Sequence, residues 1–301
     1  MSELLPHLAR TRPAGPDQGL APGAALHVEV IADLVCPFCY IGKRRLDQAM
    51  QAVQGPSDVS WFPYQLNPDM PANGMSMEEY LSMRFGSPAN VQPVLDQLAA
   101  DARRENIELR FDRIEHVPNT LRAHQVMYLA ETRRKDQSAL AEELLAAFFR
   151  RGENIGDREI LIELGARHGL LPDDVDRVMD EDSSRQIVLS REAQVRSSGI
   201  AGVPGFLLNR RLLVIGAQDE DTLVNAFDRA MFGEGNDAII SPALHYSDLR
   251  RSAASTSRSS GDSLRRAFPA GSSARSARAC EFPGRRRAVS WPRCVRVRRP
   301  R

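Results

Sequence analysis

The sequence predicts an α/β protein in which a large helical domain is inserted between the second and third strands of a small sheet. Three observations carry that prediction. A strand–helix–strand unit occupies residues 27 to 64, and from Met75 to Ser198 the apolar spacing is helical almost throughout. Two short apolar runs and a closing helix then follow between residues 205 and 233.

"HVEVIAD" (27–33) alternates, is β-branched and reads as a strand. Beyond "CPFC", Ile41, Leu46, Ala49, Met50 and Val53 recur at helical spacing until "QGPSD" closes the segment. "DVSWFPY" (58–64) is the second strand, expected parallel to the first because a helix joins them. Helices are expected over 76–85, 91–105, 119–134, 137–151, 157–168, 172–181 and 184–198, with Gly152, Gly169 and Gly199 as stops. "IELRF" (107–111) reads as a short extended segment between two of them. "GFLLN" (205–209) and "RLLVIG" (211–216) are too close for anything but a tight hairpin turning at Asn209 and Arg210. "AQDEDTLVNAFDRAMFG" (217–233) places Leu223, Val224, Phe227 and Met231 on one helical face. The order strand, helix, strand, helical block, strand, strand, helix is that of a thioredoxin-like fold with a helical insertion. The expected domains are 27–66 with 199–246 for the thioredoxin-like part, and 67–198 for the insertion.

Composition suits a globular protein: 301 residues, 42% hydrophobic and 26% charged. The net charge of +1 hides an asymmetry. Residues 250–301 hold 15 Arg and no Lys against Asp262 and Glu281, a balance of +13 that leaves −12 on the first 249 residues. That tail is also dense in Ser, Ala and Pro, so 247–301 is expected to be disordered. Its guanidinium groups could neutralise phosphates, but it lacks interleaved aromatics and any nucleic-acid-binding motif. We read it as an unselected extension from a shifted frame of a GC-rich gene, consistent with a chain whose only lysines are Lys43 and Lys135. Residues 1–26 are rich in Pro, Gly and Ala without a basic start and apolar block, and read as a flexible leader. No apolar stretch approaches the roughly 18 residues of a membrane span. A cytoplasmic protein is expected, where a CxxC is catalytic or metal-binding more often than structural.

Cys36 and Cys39 lie where the first strand turns into the first helix, and the other cysteines, Cys280 and Cys294, are in the tail. With Pro37 in the first turn, unpaired amides and the positive end of the helix dipole face the Cys36 sulfur and favour its nucleophilic thiolate. Cys39, one turn on, is the resolving thiol that attacks a mixed disulfide at Cys36. A zinc site is the rival, but its second ligand pair would have to come from the tail or from scattered histidines, and no metal is expected. Far downstream, "GIAGVPGFLLN" (199–209) puts Val203 and Pro204 just before the hairpin, where thioredoxin-like folds place a cis proline against the CxxC. The backbone of Val203 would then hydrogen-bond a substrate chain as an added strand does.

The ordered motifs "DLVCPFCYIGKRRL", "LNPDMP" (66–71), "PNTLRAH" (118–124), "GVPGFLLN" (202–209) and "GAQ" (216–218) resemble the FrnE-type branch of the DsbA oxidoreductases, over residues 27–232. The resemblance implies thiol–disulfide exchange, with or without disulfide isomerase activity, through Cys36, Cys39 and Pro204. It implies protein or small-molecule thiols as partners, and no cofactor beyond the redox-active Cys36–Cys39 disulfide and glutathione. Related 2-hydroxychromene-2-carboxylate isomerases and kappa-class glutathione transferases use glutathione and carry Ser at the position of Cys36, so a glutathione-dependent isomerase or transferase of aromatic or polyketide-like molecules is the alternative. A redox-sensing binding module without turnover is a second. The family continues the proline motif with an aromatic where this chain has Gly205, which is expected to open space beside the active site.

Pro37 and Phe38 separate the cysteines, and Phe38 cannot stabilise a thiolate as a His would, so a couple less oxidising than DsbA is expected. Among substrate-contacting candidates we include Val203, Pro37, Phe38, His124 and Asn119. The last two stand about 140° apart on a helix, and Asn119 competes with a helix-capping role it could share with Thr120. Asp33 is a candidate for proton transfer to the buried thiol or for stabilising a turn. Lys43, Arg44 and Arg45 point in successive directions and read as a solvated face.

Overall fold

The computed structural model describes residues 26–55, 57–86, 91–233 and 239–240. Residues 1–25 of the expected leader and the expected 247–301 tail lie outside these residues, and Leu26, expected at the leader's end, is instead the first residue of a strand.

Strand β1 (Leu26–Ala32) feeds helix α1 (Pro37–Gln51), which returns to β2 (Ser57–Pro63). The two strands pair in parallel, from Leu26 opposite Ser57 to Ala32 opposite Pro63, as a helical crossover requires. On its other edge β1 pairs antiparallel with β5 (Gly205–Leu208), and β5 turns into β6 (Leu212–Ile215). Asn209 and Arg210 both adopt positive φ, +48° and +55°, the conformation of a two-residue hairpin turn that Asn tolerates best after Gly. Helix α9 (Glu220–Phe232) follows in sequence, and β7 (Ile239–Ile240) closes the sheet in the order β2-β1-β5-β6-β7.

Alternation along the strands divides the apolar residues between two faces. Val28, Val30 and Ala32 of β1, with Phe206 and Leu208 of β5, pack with Tyr40, Ile41 and Leu46 of α1 and Leu223 and Phe227 of α9. Ile31, Leu207 and Leu213 point the other way, against Tyr64, Val195 and Ile200.

All seven expected insertion helices form, α2 (Met77–Phe85), α3 (Gln92–Arg104), α4 (Leu121–Thr132), α5 (Gln137–Ala146), α6 (Arg158–Arg167), α7 (Pro172–Asp180) and α8 (Asp182–Ser197), and all but α5 lie within two residues of their expected ends. The fourth expected segment, 137–151, is split: α5 ends at Ala146 and a π-helical turn carries Ala147–Arg151 to Gly152, which closes it at φ +73°. "IELRF" forms no strand. Arg110 donates its amide to the Phe149 carbonyl at 2.8 Å and a 3-10 turn follows at Phe111–Arg113. Two two-residue strands escape periodicity altogether, β3 (Met75–Ser76) paired with β4 (His116–Val117), because so short a ladder has no pattern to read. The insertion has no core of its own: Leu98, Leu144, Phe148 and Phe149 belong to the same buried cluster as the sheet and α1.

Candidate active site

Cys36 is the N-cap of α1 and Pro37 its first helical residue, where a missing amide costs nothing. The Cys39 amide donates to Cys36 Sγ at 3.4 Å and is also 3.0 Å from the Cys36 carbonyl. Both thiols are free and each is only 2% exposed. Their surroundings differ. Burial first, then the adjoining Cys36, push the Cys39 thiol well above the usual cysteine range, against a smaller opposing effect of a hydrogen bond with the Asp33 backbone. Cys39 is therefore a thiol at neutral pH, while Cys36 Sγ faces the N-terminal end of the helix.

The Val203–Pro204 peptide bond is cis, and the Pro204 carbonyl accepts the Gly216 amide at 2.6 Å. Pro204 meets α1 at Gly42: a Cβ on Gly42 would stand 2.7 Å from Pro204 Cγ. Sequence reasoning passed over Gly42, although a glycine inside a helix pattern is a signal of close packing. Val203 is half-buried and touches both apolar clusters. Gly205 does not open space beside the cysteines. Its missing Cβ would point at Ile31, at an ordinary contact distance of 3.5 Å, on the face of the sheet away from α1.

Pro37 and Phe38 are half-buried and border an apolar cavity of about 100 Å³, whose walls include Val35, Leu95, Leu98 and Phe149. The π-helical turn carries Phe148 and Phe149 to this wall, and π-turns recur at functional sites.

Neither Asn119 nor His124 of "PNTLRAH" faces an open cleft. Asn119 precedes the capping position, Thr120, whose own side chain makes no cap. Asn119 Oδ1 accepts the Leu121 amide at 3.0 Å and Gln65 Nε2 at 3.3 Å, and its Nδ2 donates to the Met70 carbonyl at 2.7 Å. It thus clamps the chain leaving β2, with little left for a ligand. His124 is 5% exposed, with Nε2 3.5 Å from Asp33 Oδ1 but not aligned as a hydrogen bond. Asp33 is 1% exposed: its Oδ1 accepts the Leu34 amide at 2.8 Å and its Oδ2 the Leu66 amide at 2.7 Å, while its carbonyl accepts the Cys36 amide at 3.3 Å. The segment after β2 is held from α8 as well, where Glu192 accepts the Gln65 amide and Arg196 donates to the Gln65 carbonyl and stacks on Tyr64.

Lys43, Arg44 and Arg45 are not a solvated face. Lys43 is 4% exposed between Asp47 and Glu142, with Nζ 3.1 Å from Glu142 Oε2. Arg44 pairs with the same Glu142, which also accepts the Tyr40 hydroxyl at 3.0 Å, and Arg45 reaches Glu105 at 2.6 Å and the Ala217 carbonyl at 2.7 Å. The basic run therefore fastens α1 to α5 and α3 of the insertion. One helix turn of sequence cannot reveal this, since Glu142 lies about 100 residues away.

Among the described residues no helix is long and apolar enough to cross a membrane. Similarity to known proteins agrees with the geometry. Residues 27–228 match the model of the DSBA-like thioredoxin domain. A probable DsbA oxidoreductase from Streptomyces coelicolor superposes with a TM-score of 0.64 at 27% identity, covering 71% of this chain and 92% of that one. A 2-hydroxychromene-2-carboxylate isomerase, at 15% identity and a TM-score of 0.52 over 67% of this chain and 95% of its own, shares the fold. The uncharacterized protein YwbO of Bacillus subtilis is 28% identical over 145 residues, 48% of this chain and 67% of that protein. With two thiols at the head of α1, a thioredoxin-like sheet beneath them and a family match spanning both, the chain belongs to the DsbA-like thioredoxin domain family.

Proposed function

We propose that the protein is a cytoplasmic thiol–disulfide oxidoreductase of the FrnE-like branch, exchanging disulfides with protein or small-molecule thiols. The observation that carries this reading is the pairing of two equally buried thiols with unlike surroundings, Cys36 Sγ at the N-terminus of α1 and Cys39 held protonated one turn on. In the reductive direction the Cys36 thiolate attacks a substrate disulfide, forms a mixed disulfide and releases one thiolate. Cys39 then gives up its proton, with the buried Asp33 carboxylate as the acceptor, and attacks Cys36 Sγ. The substrate's second sulfur departs as a thiolate, protonated by water, and the Cys36–Cys39 disulfide remains. Glutathione or another thiol would restore the dithiol.

Insulin reduction by the wild type, lost on Cys36→Ser, and accumulation of mixed disulfides by Cys39→Ala test the reading. A protein that forms a disulfide but never turns over would be a redox-sensing module instead. The apolar cavity beside Phe38 favours one second reading, a glutathione-dependent isomerase or transferase of an aromatic small molecule. Turnover of a chromene carboxylate with glutathione, without insulin reduction, would establish it in place of the first.

A further inference from the structure

His124 is a buried titratable side chain to which the exchange steps give no part. Its Nε2 is fully shielded from solvent and has no hydrogen-bond partner among the described residues, a condition that is ordinarily costly in a protein interior. An apolar side chain of similar size would avoid that cost, so the imidazole calls for a reason. Asp33 Oδ1 stands 3.5 Å from His124 Nε2. Asp33 in turn is closed in: two backbone amides bind its oxygens and its own backbone hydrogen-bonds Cys39, so its carboxyl has no direct route for a proton to leave.

A small cavity adjoins His124. It has about 10 Å³, close to the room one water needs. Ala32 and Leu34, the neighbours of Asp33 on either side, line it together with His124, and Trp61, Tyr128 and Arg191 are among the other lining residues. The charged and titratable groups facing the pair are thus Cys39 from α1, Tyr64 from the segment after β2, Tyr128 from α4 and Arg191 from α8. Arg191 is already engaged by Glu131 and stacked on Phe62 and Tyr128, and among the described residues the carboxylate paired with His124 is that of Asp33.

We infer that His124 is a positioning residue for the resolving step, acting through Asp33 by carrying its proton to the cavity and back. The inference rests on the exchange reading above. In the balanced step, Cys39 S–H yields its proton to the Asp33 carboxylate and the thiolate attacks Cys36 Sγ. The Cys36–Cys39 bond forms as the Cys36–substrate bond breaks, so the dithiol is oxidised and the substrate disulfide reduced. The Asp33 proton passes to His124 Nε2, and Nδ1 releases one to solvent through the cavity. The departing thiolate takes a proton from water, and no other oxidant is required. An imidazole suits this because either ring nitrogen donates or accepts.

Single-turnover kinetics on the full chain test it, with 4,4′-dithiodipyridine as the substrate and pH varied from 5 to 9. Release of the first thiopyridone reports attack by Cys36, and release of the second reports resolution by Cys39. We expect His124→Ala to slow the second release at least about tenfold, to change its pH profile, and to recover with added imidazole, which fits the space vacated. His124→Gln keeps size and polarity yet cannot relay a proton, and is expected to show the same defect if His124→Ala does not fold. A second release within twofold of wild type at every pH, or a slowing of both releases alike without imidazole rescue, overturns the inference. Absence of any thiopyridone release from the wild type would instead overturn the exchange reading.

Discussion

Gly42 of α1 lies directly against Pro204, so close that a Cβ on Gly42 would stand 2.7 Å from Pro204 Cγ and 3.3 Å from the ring of Phe206. Real Cβ atoms do not approach that near, so Gly42→Ala must push α1 away from the Pro204 loop. Overpacking of this kind costs about 1–3 kcal/mol, and we expect a matching fall in the urea midpoint together with slower exchange at Cys36. Gly205→Ala is the control: its Cβ would meet Ile31 at 3.5 Å, and urea unfolding should move by less than about 0.5 kcal/mol.

Glu142 is the shared partner of Tyr40, Lys43 and Arg44. Glu142→Leu leaves the buried Lys43 ammonium with Asp47 alone and takes the acceptor from the Tyr40 hydroxyl. Removing one member of a buried charged group costs about 3–5 kcal/mol, less where the partners are part-exposed as Arg44 is. We expect a loss of about 2–3 kcal/mol by calorimetry or urea, and Lys43→Met combined with Glu142→Leu should recover part of it.

The far end of β1 carries a pH-dependent cluster. Hydrogen bonds to Asp58, and then Glu29, raise His27 to about 9, against a smaller opposing effect of burial. Its Nδ1 is 3.0 Å from Asp58 and its Nε2 3.4 Å from Glu29, which Arg210 also binds at 2.9 Å. The folded value lies above the unfolded value of about 6.5. The stabilisation is therefore complete below pH 6.5 and is lost as pH rises through 9. Allowing for the exposure of Asp58, we expect about 1–2 kcal/mol of this kind. Thermal midpoints of the wild type should fall between pH 6.5 and 9, more steeply than those of His27→Gln.

Phe38 replaces the polar group that a His would offer to a Cys36 thiolate. Equilibration with glutathione should give a potential clearly more negative than the about −120 mV of DsbA. Phe38→His should raise it, and a wild-type value at or above that of DsbA would refute the argument.

Much of the architecture was legible because it depends on local pattern. Helical spacing marked every insertion helix, and a CxxC at a strand-to-helix junction announced the pair of thiols. The Asn209–Arg210 turn needed only its two flanking strands. What escaped were features with no local trace. Lys43 to Arg45 look like any solvated helix surface until Glu142 and Glu105 arrive from other helices, and β3 with β4 is too short to carry a period. The aromatic missing at Gly205 suggested room at the active site, but strand alternation turns that position to the opposite face.

The sequence by itself determined the element order, the parallel crossover from β1 to β2 and the position of Cys36 and Cys39 at the head of a helix, since each follows from residue spacing over a few turns. Only the tertiary structure decided what surrounds those thiols: the burial that keeps Cys39 protonated, Asp33 enclosed beside it, and His124 and Pro204 brought from about 90 and 170 residues away. Solvation, contact and the pairing of charges depend on distance in space, and in a chain that closes its sheet only after a 130-residue insertion, distance along the sequence does not report it.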